Sequence, residues 1–457
     1  MLPINPEIFK AYDIRGIYGQ DFDQALGRLL GLAYVELRKN DPDYLKSKKL
    51  KVAVAADMRL SSPELKENLI KGLAEAGADV IDLGLVSTPT MYFAVGYYKY
   101  DGGIIVSASH NPKEWNGFKL VRAQGMPISG ETGINYLKDQ VLKNHFSPAA
   151  VPGEISKNDR VLSDEITYTL SFTDRSKIKP LRVVVDTANG MGATYIKALF
   201  ANLPCELIPL NFPLDGSFPV HEADPLKEEN LSQIKTEIKT RGADFGIATD
   251  GDGDRMFFID DKGETIDQSI IRGLLAEMFL KIKPGSKIGY DARPGRITID
   301  LIKENGGIPV MTHVGHSLIK EQMLKEDIFF AGESSGHFYL RGQAGCFEYP
   351  GIIILKLLTL VSQTPNGIAA YVSPYKKYFQ SGEINRLVSD KDLIFDKILA
   401  KYGDGRINRL DGLTIEYPDF WFNVRGSNTE PKIRLNLEAV SQEIMAKKRD
   451  EVLALMQ

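Results

Sequence analysis

The hydroxyl group of Ser109 is the first candidate for chemistry, and it lies in the segment GGIIVSASHNPKEWNGFKL at 102–120. An apolar, β-rich run leads up to this serine, and the stretch from His110 to Pro112 prevents the strand from continuing. The hydroxyl is therefore predicted at the carboxyl end of a strand, where α/β folds usually place their chemistry. Lys119 supplies a positive charge on the element that follows this loop.

The serine segment taken alone is also compatible with an ordinary turn. A serine followed by a histidine is typical of an ST-turn with a loop histidine. Asn116 followed by Gly117 is a hairpin signal, so the residues between Pro112 and Lys119 could form a simple turn.

A second candidate is the segment ATDGDGDRMFFID, in which Asp250, Asp252 and Asp254 alternate with glycines. The glycines let three carboxylates converge on one cation, and hard oxygen ligands favour Mg²⁺. An EF-hand loop also begins with alternating acidic residues, but it needs glycine at its sixth position and glutamate at its twelfth. Here those positions hold Arg255 and Asp261, and the flanking runs indicate strands. A solvated acidic turn is the other alternative.

Two further loops carry groups that suit a sugar or a phosphate. In GESSGHFYLR at 332–341, alternation along an extended segment would bring Glu333, Ser335 and His337 onto one side. A carboxylate and a hydroxyl suit sugar hydroxyls, whereas the alternative is a polar surface turn. In VRGSNTEPKIRL, Arg425 precedes small residues whose hydroxyl and N–H groups could wrap an anion. Such runs are also common in ordinary turns, and VGHSLIK at 314–320 has the same two interpretations.

The composition is that of a soluble globular protein. Charged residues make up 25% of the 457 residues, with 56 basic against 60 acidic side chains, so neither nucleic acid nor a membrane surface is indicated as a partner. The apolar run GIIILKLLTLV at 351–361 is shorter than the roughly 20 residues of a membrane span and predicts a buried helix. The absence of a signal sequence predicts a cytoplasmic protein. Cys205 and Cys346 have no metal-site spacing, so reduced, structural cysteines are expected.

One local pattern occurs three times along the chain. A short apolar strand ends in an aspartate (Asp57, Asp186 or Asp291), and a polar loop, a helix and another strand follow. This repeat predicts three similar α/β domains, at 1–155, 156–256 and 257–371. The remaining residues, 372–457, predict a smaller α+β domain with a helix near 392–402 and strands in LTIEYP, DFWFNVR and KIRLNLEAV.

The helix after the first of these strands has recognisable signals at its ends. Ser61 and Glu64 have the spacing of a capping box, and Gly77 is a typical helix terminator. Between them, Leu65, Leu69 and Leu73 form an apolar stripe at helical period.

Taken together and in order, these loops closely resemble those of the α-D-phosphohexomutase family, in particular its phosphomannomutase/phosphoglucomutase branch. The match spans essentially the whole chain. The resemblance implies an α/β fold of four domains around a central cleft, the first three alike with mixed sheets and the last a smaller α+β domain. The matching segments are YDIRG at 12–16, SASHNP at 107–112, DGDGDR at 250–255, GESSGH at 332–337 and RGSNTEP at 425–431.

The resemblance also implies roles for individual residues. Ser109 would carry the phosphoryl group and would ligate the metal together with Asp250, Asp252 and Asp254. The groups beside the reacting oxygens would be Arg15, His110, Lys119 and His337. The substrate contacts would be Tyr12, Arg255, Arg293, Gly315, His316, Glu333, Ser335, Arg425, Ser427, Asn428 and Thr429. Within that set, Glu333 and Ser335 would hold sugar hydroxyls. Arg293 departs from the branch, whose members often have lysine there.

The implied reaction interconverts hexose 1-phosphate and hexose 6-phosphate, of mannose, glucose or both. It would proceed through phospho-Ser109 and a bound hexose 1,6-bisphosphate, which also serves as activator, with one Mg²⁺ per chain. The partners would be small hexose phosphates, and the protein a monomer or weak homodimer. The alternatives are a phosphoglucosamine mutase, a sugar phosphatase and a non-catalytic sugar-phosphate sensor.

Overall fold

The computed structural model describes residues 2–42, 48–293, 295–388, 390–426 and 432–457. The chain forms two compact units. The first comprises 1–265 and 337–369, and the second comprises 266–336 and 370–457. Among the described residues, no helix combines the length and the apolar character needed to cross a bilayer.

The first α/β region has a mixed sheet with strand order β1-β5-β4-β2-β3-β6. Strand β2 pairs in parallel with β3 and β4, and β5 runs antiparallel to β4 and β1. Its strands are β1 (Ile14–Ile17), β2 (Lys51–Ala56), β3 (Asp79–Leu85), β4 (Gly102–Val106), β5 (Trp115–Arg122) and β6 (Ile155–Lys157). Its helices are α1 (Ala25–Lys39), α2 (Ser62–Glu75), α3 (Thr88–Tyr97) and α4 (Asn135–Lys143).

Helix α2 confirms the predicted apolar stripe but not the predicted capping box. Leu65, Leu69 and Leu73 are all fully buried, and the chain leaves the helix through Gly77 at φ +90°. The hydroxyl of Ser61 makes no cap. It accepts a hydrogen bond from Nδ2 of Asn116 at 2.8 Å, because tertiary packing brings that amide to the helix N-terminus.

Asn116 and Gly117 do not form a hairpin turn. Both lie inside β5, opposite Gly16 and Arg15 of β1. A Cβ atom at Gly117 would lie 1.9 Å from the carbonyl oxygen of Ile14, so glycine is required by the close approach of the two strands.

The second region has the mixed sheet β10-β9-β7-β8, in which β7 is parallel to β8 and β9, and β10 is antiparallel to β9. The turn between β9 and β10 carries the three aspartates of the acidic segment. The strands are β7 (Arg182–Asp186), β8 (Glu206–Leu210), β9 (Phe245–Thr249) and β10 (Met256–Ile259). The helices are α5 (Val161–Leu170), α6 (Gly192–Phe200) and α7 (Ser232–Arg241).

The third region begins with parallel strands in the second compact unit, where β11 pairs with β12 and β13. These elements are α8 (Gln268–Ile282), β11 (Lys287–Asp291), α9 (Arg296–Glu304), β12 (Ile308–Thr312), α10 (His316–Glu326) and β13 (Ile328–Gly332). Next come the antiparallel hairpin of β14 (Phe338–Gly342) and β15 (Gly345–Glu348), helix α11 (Pro350–Ser362) and helix α12 (Ile368–Val372). Helix α11 contains the apolar run and is buried along most of its length, as predicted.

The last region is a smaller antiparallel sheet with two helices. Its order is β16-β21-β20-β19-β18, with β17 also paired to β21. The elements are β16 (Phe379–Gln380), β17 (Ile384–Leu387), α13 (Lys391–Tyr402), β18 (Arg406–Asn408), β19 (Leu413–Glu416), β20 (Phe420–Gly426), β21 (Lys432–Ala439) and α14 (Gln442–Leu455). The predicted fold class, three α/β regions followed by a smaller α+β region, is confirmed.

Candidate active site

Ser109 is held in a strained, buried position just beyond β4. It is 1% exposed, and its Oγ donates a hydrogen bond to Oδ2 of Asp250 at 2.8 Å. Its φ of +52° is in the left-handed region, which a residue with a side chain rarely adopts. Such strain is common at functional positions, where the surrounding structure must stabilise it. The structure therefore joins the predicted nucleophile to the acidic loop.

The three aspartates converge as their spacing predicts. Asp250, Asp252 and Asp254 are each at most 2% exposed, and one carboxylate oxygen of each lies within 4.8 Å of the others. Oδ1 of Asp250 accepts the N–H groups of Asp254 and Arg255, both at 3.1 Å. A Cβ atom at Gly251 would lie 2.5 Å from the carbonyl oxygen of Ser109, so glycine permits the close approach of the two loops.

The acidic loop fits a divalent cation. Burial, together with repulsion from Asp254 and Asp252, raises the pKa of Asp250 well above its usual range. Oδ1 of Asp252 is buried without a hydrogen-bond partner among the described residues. Three convergent carboxylates are the hard oxygen donors that such cations prefer. The donor set and the unsatisfied oxygen together indicate a site that could hold a metal.

Lys119 bridges two of these aspartates. Its Nζ donates to Oδ2 of Asp252 and of Asp254, each at 2.6 Å, and the side chain is 2% exposed. Burial lowers the pKa of the Lys119 ammonium, but the two aspartates outweigh burial and hold that pKa well above its usual value. The ammonium therefore stays charged at the centre of the cluster.

His337 lies on the other side of Asp254. Its Nε2 is 3.1 Å from Oδ1 of Asp254, and its ring stacks against Tyr339 with centroids 5.9 Å apart. Burial raises the pKa of Asp254, but Lys119 and His337 outweigh burial and hold that pKa well below its usual range. Glu348 lies close by, because one ligand atom each of Asp254, His337 and Glu348 lie within 4.8 Å of one another.

Arg15 is anchored to the serine loop. Its Nη1 donates to Oδ1 of Asn111 at 2.8 Å, and its Nη2 is paired with Asp13 at 2.8 Å. Burial lowers the pKa of the Arg15 guanidinium, but Asp13, Asp252 and the half-buried Tyr12 outweigh burial and raise that pKa overall. These contacts hold a cationic group beside the buried cluster.

His110 and Arg255 complete the surroundings of Ser109. Nδ1 of His110 lies 3.4 Å from Oγ of Ser109, and burial with the nearby charge of Arg255 lowers the pKa of this histidine well below its usual value. Arg255 is half-buried, with Nε 3.9 Å from Oδ2 of Asp250. His110 is therefore neutral at physiological pH.

The segment predicted to contact the sugar is a turn, and the prediction that it is extended is wrong. The N–H of Gly336 donates to the carbonyl oxygen of Glu333 at 3.1 Å, and Gly336 has φ +91°. Glu333 is 3% exposed and accepts hydrogen bonds from Nη2 of Arg293 at 3.1 Å and from the N–H of Gly315 at 3.0 Å. His316 is buried as the first residue of α10, and Ser335 is buried in the turn.

Only part of the predicted phosphate loop lies within the residues that the structure describes. Arg425 lies in β20, 8% exposed, and its Nη2 donates to Oε2 of Glu383 at 2.9 Å. Burial raises the pKa of Glu383, but Arg425 outweighs it and the pKa is lowered overall. Ser427, Asn428 and Thr429 lie outside the described residues.

Three polar residues near these loops were not predicted from the sequence. Thr88 donates its hydroxyl to Oδ2 of Asp252 at 2.6 Å and its N–H to the carbonyl oxygen of that residue at 3.1 Å. Glu383 pairs with Arg425, and Arg59 contacts the serine loop. Of these three, only Arg59 had a sequence feature that could have indicated a place near the site: it follows the strand-end aspartate Asp57 by two positions.

The predicted site residues fall into both compact units. The first unit brings together Ser109, the three aspartates, Lys119, His337, Arg15, His110 and Arg255. The second unit contains Glu333 with Arg293 and Gly315, and also Arg425.

Four sequence models of one family match successive parts of the chain. They are the phosphoglucomutase/phosphomannomutase α/β/α domain I at 6–147, domain II at 163–263, domain III at 267–378 and the C-terminal domain at 383–455. The fold and the buried serine–aspartate cluster thus define a mutase, an isomerase that transfers a phosphoryl group within a hexose phosphate.

Individual relatives agree with these matches. The phosphomannomutase of Vibrio cholerae is 38% identical over 441 residues, covering 94% of each chain. A phosphomannomutase of Escherichia coli is 38% identical over 461 residues, covering 98% of each chain. The crystal structure of a phosphoglucomutase/phosphomannomutase family protein from Burkholderia thailandensis has a TM-score of 0.87 and 33% identity, covering 99% of this chain and 97% of that one. The chain belongs to the phosphoglucomutase/phosphomannomutase family.

Proposed function

We propose that this protein interconverts hexose 1-phosphate and hexose 6-phosphate of both glucose and mannose through a phosphorylated Ser109. The observation that carries the proposal is the 2.8 Å hydrogen bond from Oγ of Ser109 to Asp250 inside a buried cluster of three carboxylates and one ammonium. Relatives named phosphomannomutase support the same reaction class.

In the first step, the phosphoryl group of phospho-Ser109 passes to O6 of hexose 1-phosphate. The bond from phosphorus to the serine Oγ breaks and a bond to O6 forms, while O6 loses its proton and the serine regains one. His337 lies next to the aspartate loop, where it is placed to accept the proton of O6, and the charged ammonium of Lys119 is placed to donate a proton to the serine oxygen. Arg15 and Lys119 supply positive charge for the transferring group, which needs positioning and electrostatic stabilisation more than covalent help.

Asp250, Asp252 and Asp254, with an oxygen on Ser109, are the residues that would hold Mg²⁺. Bound there, Mg²⁺ would supply positive charge against the oxygens of the transferring phosphoryl group. Oδ1 of Asp252 supports this assignment, because it is buried without a hydrogen-bond partner among the described residues and could ligate a cation.

The hexose 1,6-bisphosphate formed in the first step must then turn around inside the site. In its second orientation the original O1 phosphate faces Ser109 and passes to Oγ, which leaves hexose 6-phosphate and a recharged enzyme. One docking loop, containing Arg425 and the run from Ser427 to Thr429, must therefore accept either phosphate. If Glu333 and Ser335 hold only O3 and O4, the C2 epimers glucose and mannose are both accepted.

A coupled assay for hexose 6-phosphate tests the proposal. Glucose 1-phosphate and mannose 1-phosphate are assayed separately with Mg²⁺ and trace sugar bisphosphate, and Ser109→Ala is the control. We expect turnover of both sugars with the native protein and none with the control.

Other outcomes would separate the alternatives. Turnover of one sugar would restrict the substrate, and reaction of glucosamine phosphate alone would indicate a phosphoglucosamine mutase. Release of inorganic phosphate without hexose 6-phosphate would indicate a phosphatase. Tight binding of hexose phosphates without any turnover would indicate a sensor.

A further inference from the structure

The guanidinium group of Arg59 is almost completely enclosed by the serine loop. Arg59 is 1% exposed and lies between the end of β2 and the start of α2. Nη1 donates to the carbonyl oxygens of Pro112 at 2.7 Å and Trp115 at 2.9 Å. Nη2 donates to those of Ser109 at 2.8 Å and Asn111 at 2.6 Å. One side chain thus holds four carbonyl groups of the segment that contains the predicted nucleophile.

The guanidinium is itself held from two further sides. Its Nε lies 3.3 Å from Oδ2 of Asp57, whose other carboxylate oxygen accepts the hydroxyl of Ser62 at 2.6 Å. The ring of Phe218 covers the guanidinium, with Cζ 5.1 Å from the ring centroid. A Cβ atom at Gly216 would lie 2.5 Å from Cα of Arg59, so the loop that carries Phe218 packs tightly against it.

These contacts bear on the strained conformation of Ser109. At φ +52° the serine does not hold its conformation by intrinsic preference, so its surroundings must stabilise it. The carbonyl oxygen of Ser109 is fixed by Arg59 on one side, and its Oγ reaches Asp250 on the other. The planar fork of a guanidinium has five donors and binds these four carbonyls at once, whereas a lysine ammonium has only three donors and a different geometry.

We propose that Arg59 is a positioning residue for phosphoryl transfer. It holds four carbonyls of the serine loop and so keeps the backbone of Ser109 left-handed and its Oγ in the reactive position. This inference rests on the proposed mutase function. Arg59 touches the loop backbone and acts on the reaction through Ser109. Removing its contacts should slow the transfer step and leave substrate affinity nearly unchanged, because the proposed sugar and phosphate contacts are made by other loops.

The test compares Arg59→Lys with Arg38→Lys. Arg38 is a matched control: it is 3% exposed in α1, donates to the carbonyl oxygen of Asp101 at 3.3 Å, and pairs with Asp41. Three quantities are measured for each protein: steady-state kcat and KM with glucose 1-phosphate, and amide hydrogen exchange in the peptide spanning 107–117.

For Arg59→Lys we expect faster exchange in that peptide, a roughly 100-fold lower kcat and a KM within about threefold of the native value, since small misplacements of reacting atoms cost about that much. Arg38→Lys should leave all three unchanged. Native exchange rates in 107–117, or a raised KM with native kcat, would overturn the inference.

The exchange measurement keeps the inference testable apart from the proposed function. If the native protein has no mutase activity, the proposed function fails, but hydrogen exchange still shows whether Arg59 holds the loop.

A second variant serves if Arg59→Lys does not fold. Phe218→Leu removes only the ring that covers the guanidinium. We then expect a kcat lower by about threefold or more with faster loop exchange. Native values for both quantities in Phe218→Leu would overturn the inference.

Discussion

Nζ of Lys119 lies 2.6 Å from Oδ2 of Asp254, and both side chains are buried. The same ammonium is 2.6 Å from Asp252, so one positive charge partly neutralises a cluster of three carboxylates. Without a cation, such a cluster would be costly to bury. The stability of this part of the chain and its affinity for metal are therefore expected to be linked.

Replacing Lys119 by methionine should destabilise the protein by about 3–5 kcal/mol, because it leaves buried carboxylates without their partner. Adding Mg²⁺ should recover part of that loss. Urea unfolding with Mg²⁺ and with a chelator measures both effects. Lys71→Met is the control, since Lys71 forms an exposed pair with Glu67 and its loss should leave stability nearly unchanged. Equal midpoints for Lys119→Met and the native protein in chelator would contradict the prediction.

Replacing Thr88 by valine should weaken Mg²⁺ binding by about 10–100-fold, as is typical when a residue that orients a metal ligand is lost. Valine has nearly the same shape but lacks the hydroxyl that donates to Asp252 at 2.6 Å. Thr88→Ser keeps that hydroxyl and should bind almost normally. Isothermal titration calorimetry with Mg²⁺, on protein without added sugar phosphate, measures the affinity directly. The idea fails if valine and serine variants bind equally well.

Replacing Glu165 by glutamine should stabilise the protein at alkaline pH. Burial raises the pKa of Glu165 to about 7, although its Oε2 accepts the hydroxyl of Thr90 at 2.6 Å. When folding raises the pKa of a carboxyl group, the folded protein loses stability as the pH rises from the unfolded-state pKa, about 4.3, to the folded-state pKa.

Because of this group, the free energy of unfolding of the native protein should fall by about 3 kcal/mol between pH 4.3 and pH 7, with almost no further loss above pH 7. Urea unfolding of both proteins at pH 5 and pH 8 gives the difference. We expect the glutamine variant to gain stability relative to the native protein at pH 8 and much less at pH 5. A difference that does not depend on pH would be inconsistent with a buried, titrating Glu165.

Replacing Arg425 by lysine should raise KM for hexose 1-phosphate by about 10-fold, with a smaller change in kcat. A lysine ammonium offers no planar fork, so once it is paired with Glu383 it has fewer donors left for a phosphate than Arg425 has. Steady-state kinetics at constant ionic strength measures the change. Arg434→Lys is the matched control, because Arg434 lies farther from Glu383, at 3.8 Å, and is more exposed. Equal KM values for the two variants would rule out a special role for Arg425.

Local patterns were sufficient for most of the secondary structure. The leucine stripe of α2, the apolar helix α11 and the strands around the acidic loop were predicted from periodicity and length. Two local signals misled. Asn116–Gly117 is typical of a turn but lies in a central strand, and Ser61 has a capping spacing but bonds to a distant amide. In both cases packing against another segment outweighed a weak local preference.

By itself, the sequence determined which side chains are available and where most of the helices and strands lie. The spacing of Asp250, Asp252 and Asp254 required them to be neighbours, because alternate positions in one tight turn cannot separate far. Tertiary structure decided that Ser109 meets Asp250 across 141 positions, and that Arg59 holds the serine loop from 50 positions away. Such contacts depend on how separate sheets and helices bury their apolar faces together, and no local pattern records that arrangement.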